Sequence, residues 1–412
     1  MQKNNWKKCK LSEVCEITSS KRIFMADYVK SGVPFFRSKE IIEKANGNEI
    51  STPLFISLNK FAEIKKKYGV PQPNDLLLTS VGTLGIPYQV KEDDHFYFKD
   101  GNLTWFRHFS HILPKYLYYF FKSSMGRNIL DEISIGSTQK ALTITALQNI
   151  SLYLPPLEEQ KRIAEVLGAF DDKIELLQKQ NKTLEEMAKA TFKSWFVDFI
   201  PFGGIRPTDW KEISLADIAN FVSGYSYKGD ELKLSTMAMA TIKNFGRNGE
   251  FKLDGFKEIM PSSKLKLSQK VNLFETIVAH TDLTQNADVI GNAALLLSKG
   301  NYKEIIISMD VVKVLPKNDL ISTFIIAALL KTKHFKNHCL GYINGTTVLH
   351  LSKKALPEYR FYFPQNIQIL NSLSESLGNF YKKMSFNMEQ IQTLTELRDS
   401  LLPRLLSGKI RV

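Results

Sequence analysis

"YLPPLEEQKRIAEVLGAFDDKI", from Tyr153 to Ile174, leaves a stretch of strand character, passes through two prolines and enters a helix. Proline suits the first helical turn, and Glu158 and Glu159 stand where the helix dipole favours carboxylates. The helical pattern runs on to "PFGG" at Pro201. That is about 43 residues and roughly 65 Å, well beyond the usual globular helix. "YFPQNIQILNSLSESLGNF", Tyr362 to Phe380, repeats the passage near the end of the chain.

Both helical stretches carry a heptad period. Ile163, Leu167, Phe170, Ile174, Leu177, Asn181 and Leu184 step by four and three, and Leu377, Met384, Asn387, Ile391 and Leu394 fall on the second seam. An antiparallel pairing of residues whose numbers sum to 568 sets Ile174 opposite Leu394, Leu177 opposite Ile391 and Leu184 opposite Met384. It also sets Asn181 against Asn387, and two facing asparagines in an apolar seam fix alignment while bonding each other's amides. Phe192, Phe196 and Phe199 lie off the seam as candidate contacts for partner subunits, with packing against the chain's own globular parts as the competing reading. The charges of "DDKIE" from Asp171 read as a solvated flank.

Working outward, the chain is an internal repeat. "WKKCKLSEVCEITSS" from Trp6 matches "WKEISLADIANFVSG" from Trp210, 204 residues on, and "PFFRSKEI" lies on "AMATIKNF" at the same offset. "FKSSMGRNILDEISIGSTQKALT" aligns with "LKTKHFKNHCLGYINGTTVLHLS" at an offset of 209, so loops differ in length. Each half begins with short β-rich stretches such as "DLLLTSVG" and "ISMDVVKVL" and continues with a compact helix such as "KYLYYFFKSS". A polar loop, a last strand and the long helix follow. The expected architecture is α+β: two repeated α/β units, residues 1–155 and 201–363, joined by two long helices, 156–200 and 364–412, in an antiparallel coiled coil with pseudo-twofold symmetry.

With 412 residues and 43% hydrophobic content, packed cores are expected. No apolar run is long enough for a bilayer span, and "MQKNNWKKCK" lacks the apolar core of a signal peptide, so a cytoplasmic protein with no membrane partner is expected. Cys9, Cys15 and Cys339 fit neither a disulfide framework nor a zinc spacing. A net charge of +13 favours a polyanionic partner, double-stranded DNA foremost.

Motifs for catalysis are missing. "GYSYKGD" from Gly224 puts Asp230 where a phosphate-binding lysine would stand, and His334, His338 and Cys339 make too few ligands for a metal. Candidate DNA-binding groups lie in polar loops: Arg37, Ser38 and Lys39; Ser80 and Thr83; Ser137, Thr138, Gln139 and Lys140. The matching places of the second half hold Thr241, Lys243 and Asn244; His280 and Thr281; Thr346 and Thr347. Such side chains read base edges or hold phosphates, although turn residues also bond their own backbone. A scaffold that recurs while its loops change fits one frame reading two short sequences.

"LPPLEEQKRIAEVL" with "FDDKI", the trailing "WFVDF", the upstream "GSTQ" and the C-terminal "LRDSLLPRLLSGKI" resemble the specificity subunit of type I restriction-modification systems, over essentially the whole chain. The resemblance implies two target recognition domains, each reading half of a split DNA site, with the paired helices as spacer. It implies a non-catalytic subunit without its own cofactor or metal. Its partners would be two modification subunits that bind S-adenosylmethionine and restriction subunits that use ATP and Mg. The second copy departs from the pattern, with "FPQNIQIL" for "LPPLEEQKRIA" and "GTTV" for "GSTQ". Equal docking of partners at both ends is thereby in doubt. Alternatives are the specificity subunit of a two-protein enzyme cutting on both sides of its site, a coiled-coil adaptor binding only proteins, and a nuclease acting alone.

Overall fold

The computed structural model describes residues 5–48, 50–136, 140–247, 249–284 and 286–412. The chain forms two compact units: Met1–Glu175 with Leu394–Val412, and Leu176–Thr393. The two long helices, Leu157–Phe196 and Asn371–Leu406, each contribute one half to either unit.

In the first unit, Lys7–Lys10 pairs antiparallel with Ser151–Leu154, Lys7 opposite Leu154, directly before the long helix. Alternate residues of Ser151–Leu154 are buried, the pattern of a strand with one face on the core. Glu16–Thr18, Leu103–Arg107, Leu76–Thr79 and Pro87–Gln89 form an antiparallel four-stranded sheet in that order. A second sheet runs Tyr28–Val29, Phe55–Ile56, Val33–Phe36, Tyr97–Phe98, the last pair parallel. Helices Pro114–Lys122 and Ser124–Ile133 follow, the corner between them capped by the Ser123 hydroxyl, which accepts from the Gly126 amide at 3.0 Å. A side chain at Gly126 would collide with the Phe120 carbonyl.

The second unit repeats the strand pair and the antiparallel sheet, while its other four-stranded sheet, Lys257–Glu258, Met237–Ala240, Glu304–Ile307, Lys270–Val271, carries its extra edge strand on the opposite side. Trp210–Ser214 pairs with Arg360–Pro364 before the second long helix. Ala219–Ser223, Val311–Pro316, Thr276–Ala279 and Ala293–Leu295 form the antiparallel sheet, and Met237–Ala240 lies parallel to Glu304–Ile307 in the other. Helices Thr323–Leu330 and Lys333–Leu340 stand at the offset of 209 from their counterparts.

Each unit seats its globular part on its own halves of the long helices, which run antiparallel. In the first, Ile163 and Leu167 are buried with Leu402, Leu405 and Leu406 against Leu117 and Phe120. In the second, Ala188 and Phe192 are buried with Leu373, Leu377 and Met384 against the Thr323–Leu330 helix. Gly168 and Gly378, equivalent by the repeat, face the compact helix of their own unit. A Cβ would stand 2.5 Å from Lys115 Nζ at the first and 3.1 Å from the Phe324 ring at the second. Glycine inside a helix costs about 1 kcal/mol relative to alanine; the Phe324 ring accounts for Gly378, whereas the Lys115 ammonium beside Gly168 is the end of a flexible chain that can swing aside.

Polar contacts fix the alignment. In the second unit Asn387 Nδ2 donates to Asn181 Oδ1 at 2.9 Å, and Asn181 Nδ2 reaches the Met384 carbonyl at 3.4 Å. Ile174 and Leu177 are buried, while Phe170, Leu184, Ile391 and Leu394 are half-buried. In the first unit Asp171 is not the solvated charge the heptad flank suggests. Its carboxylate takes Arg398 at 2.6 Å, the Tyr119 hydroxyl at 2.9 Å and Lys122 at 3.5 Å. Burial alone pushes this carboxyl up, but Lys122 and Arg398 outweigh it and hold it below the usual carboxylate range.

Two outcomes follow from these contacts. Asp171→Asn leaves Arg398 and Lys122 without their shared carboxylate and destabilises the first unit by about 1–3 kcal/mol. Because the folded pKa is depressed, the wild-type contribution is complete above about pH 4 and is lost as pH falls further, a limb absent from the variant's plot of melting temperature against pH. Asn387→Leu alone strands the Asn181 carbonyl oxygen and lowers the urea midpoint. Replacing Asn181 and Asn387 together by leucine restores or exceeds the wild-type midpoint, since two apolar groups leave nothing unpaired.

Candidate nucleic-acid interface

In the first unit the candidate loops meet around one turn. The Asn102 carbonyl accepts the Ser38 hydroxyl at 3.1 Å and the Ser80 amide at 2.8 Å. The neck of the following loop is closed by reciprocal backbone bonds between Ile135 and Ala141, and Leu142 N donates to the Ser80 carbonyl at 2.9 Å. Arg37–Lys39, Ser80–Thr83 and Lys140 thus share one end of the unit. Ser137, Thr138 and Gln139 lie outside the described residues.

Their exposure separates them. Lys39, Thr83 and Lys140 are exposed. Arg37 is half-buried and gripped by Glu40, with Nε 3.1 Å from Oε2, and this hydrogen bond raises the guanidinium pKa further. Ser80 faces inward, its hydroxyl 2.7 Å from that of Thr104.

The second unit gathers its set on the three-stranded sheet Thr281–Asp282, Leu349–Leu351, Ile343–Asn344. The hairpin turn of that sheet exposes Thr346 and Thr347, while His280 lies at the sheet's other end, its carbonyl accepting Leu351 N at 2.8 Å. Burial, then His350 and Lys353, pull the His280 pKa down to about 4, so the ring is neutral at pH 7 and offers one donor and one acceptor. Lys243 is exposed. Thr241 is half-buried and caps the turn Ile242–Asn244, whereas Asn244 is buried and bonds Thr241 N at 2.8 Å and the Lys252 carbonyl at 2.7 Å. Thr281 is buried in its strand. Ser80 and Asn244 therefore build the loops from within, because short polar side chains in turns bond the nearest backbone.

Two features escaped the sequence. Lys336 Nζ donates to the carbonyls of Ala287, Asp288 and Ile290 and to Asn292 Oδ1, at 2.6–3.2 Å. From the other side the buried Asp282 carboxylate accepts Thr284 N, Val289 N and Ile290 N. This clamp fixes the loop that carries Asp288, which in turn holds the exposed Arg247 at 3.3 Å. Lys336 lies about fifty positions from its partners, beyond any local signal.

The aromatic flank of the first long helix is covered within the second unit. Phe192 is buried and stacks on Phe196, and Phe196 and Phe199 pack on Trp210 at 5.0 and 5.6 Å. The chain's own cluster occupies the face offered as a partner contact. Leu176 and Met187 on that helix stay exposed. His334 bonds the Tyr359 hydroxyl, His338 bonds the Ala355 carbonyl, and among the described residues no group of three or more His, Cys, Asp or Glu side chains is placed to hold a metal. Nor is any described helix long and apolar enough to cross a membrane.

Residues 3–186 match the family model of the type I restriction modification DNA specificity domain. The type I restriction enzyme MjaIX specificity subunit of Methanocaldococcus jannaschii is 29% identical over 336 residues, covering 75% of this chain and 73% of that protein. The HindI specificity subunit of Haemophilus influenzae is 24% identical over 361 residues, covering 73% and 78%. The solved S subunit of a type I restriction-modification system from M. genitalium shares the fold, with TM-score 0.59 at 18% identity over 98% of this chain and 97% of that one. The repeated antiparallel sheet, the helix-borne units and these likenesses agree: residues 3–186 carry the type I restriction modification DNA specificity domain, and the chain as a whole is similar to the specificity subunits of type I restriction-modification systems.

Proposed function

We propose that each globular part, residues 1–155 and 201–363, reads one half of a bipartite DNA site, and that the paired helices, 156–200 and 364–412, set the spacing between halves. The observation that carries this is the repeat itself: the strand order of the antiparallel four-stranded sheet recurs while the exposed loop groups differ. Lys39, Thr83 and Lys140 project from one scaffold, and Lys243, Thr346 and Thr347 from the other. Lysines anchor phosphates, whereas hydroxyls and the neutral His280 ring suit base edges. A helix of 40 residues is about 60 Å long, more than one turn of B-DNA at about 34 Å.

Modification subunits would dock through apolar side chains that the chain leaves uncovered, such as Leu176 and Met187. They would supply S-adenosylmethionine chemistry on a flipped adenine, and restriction subunits would supply ATP- and Mg-dependent cutting. This chain's part is to choose the sequence.

Inserting one heptad into both long helices lengthens the gap between methylated half-sites without changing the bases read. Adenine-methylation mapping in a host expressing the chain with its partners reads this directly, and an unchanged gap refutes the spacer role. Lys336→Met releases the Asp282–Asn292 loop and degrades recognition of the second half-site only. The same mapping then shows a relaxed motif on one side and an intact one on the other.

A further inference from the structure

The first unit holds an apolar tip that its own core does not use. Phe24 is 63% exposed and Met25 83% exposed, side by side at the start of a single helical turn, Met25–Asp27. The turn is rigidly set. Ile23 is buried beneath it, Phe24 N donates to Asp27 Oδ2 at 3.1 Å, and Asp27 N donates to the Phe24 carbonyl at 2.9 Å. Before the tip stand Lys21 and Arg22, both exposed, Arg22 resting on Asp100 at 2.9 Å.

The tip lies at the end of the unit that gathers the candidate reading loops. Asp100 opens the turn whose Asn102 carbonyl bonds both Ser38 and Ser80, and Gly101 N donates to the Ser19 hydroxyl just upstream of Lys21. The second unit repeats the turn as Gly229–Glu231, with Lys228 N donating to Glu231 Oε2 at 2.7 Å. There Lys228 and Gly229 stand where Phe24 and Met25 stand in the first. The same scaffold therefore forms without an apolar tip, so folding does not require one.

We infer that Phe24 and Met25 are a wedge that enters a base step of the DNA and bends it, with Lys21 and Arg22 on the adjacent phosphates. Large apolar side chains flanked by cations suit this use, since unstacking a step opens an apolar slot between two charged strands. A protein partner would more naturally meet an apolar patch clear of phosphate-seeking cations. Only the first recognition domain carries the device, so bending is confined to one side of the site. The inference rests on the half-site reading above.

The test uses the full chain in complex with its modification subunits. The probe is a duplex carrying the methylation-mapped site, end-labelled for energy transfer, with 2-aminopurine placed in turn at each step of the first half-site. Wild type is expected to shorten the end-to-end distance and to brighten 2-aminopurine at one step. Phe24→Ala with Met25→Ala abolishes both signals and weakens binding about ten-fold, with the slope of affinity against salt unchanged because no phosphate contact is removed. Phe24→Lys with Met25→Gly, the tip of the second unit, folds and likewise loses the fluorescence. Unchanged bend and fluorescence in both variants overturn the wedge, and so does normal DNA behaviour with loss of the modification subunits. A wild-type complex that does not prefer the mapped duplex over a scrambled one overturns the half-site reading itself, whereas normal preference on straight DNA overturns only the wedge.

Discussion

The seam of one long helix has no complement nearby in the chain, and most of the architecture follows from that constraint. Ile163 and Leu167 lie in a cluster that is completed only when the chain has returned some two hundred residues later with Leu402, Leu405 and Leu406. Closing so long a loop costs entropy, though only logarithmically in its length. The return must therefore be secured by contacts that reward correct alignment. Asn181 with Asn387 and Asp171 with Arg398 do so, since a slip of one turn would bury an unpaired amide or charge. In each unit the strand before the long helix is also locked to the first strand of the globular part, so the helix start is held by backbone bonds as well as by packing.

Periodicity and repetition made this much legible in the sequence, because both are local or self-similar signals. The heptad positions, the proline entry to the helix at Leu157 and the compact helices at Pro114 and Thr323 all announce themselves within a few turns of chain. Side-chain destinations were less legible. Ser80 and Asn244 carry the chemistry of base readers but spend it on the loops' own interior, Thr281 is buried in its strand, and the type of residue does not say which way it faces. Asp171 reads as a solvated charge because its partners come from positions 119, 122 and 398. The Lys336 clamp is hidden for the same reason, as a lysine among many lysines until folding brings four acceptors around it. Phe192 and Phe196 read as greasy flanks until Trp210 and Phe363 cover them.

What is buried and what is exposed then divides labour in a way that suits a reader of sequences. The turn at Met25–Asp27 and the turn at Gly229–Glu231 share one capping arrangement and differ at their tips. The hairpin bearing Thr346 and Thr347 is likewise held by backbone pairing to Thr281–Asp282, and the tip residues take no part in that pairing. Exposed substitutions away from caps and buried networks usually change stability by no more than about 0.5 kcal/mol. Tips of this kind can change their chemistry while Glu40, Asn102, Asp282 and Lys336 keep the backbone beneath them in place. Two halves of one chain can therefore diverge in what they touch without diverging in fold, and a divided scaffold of this sort gains a new contact set one loop at a time.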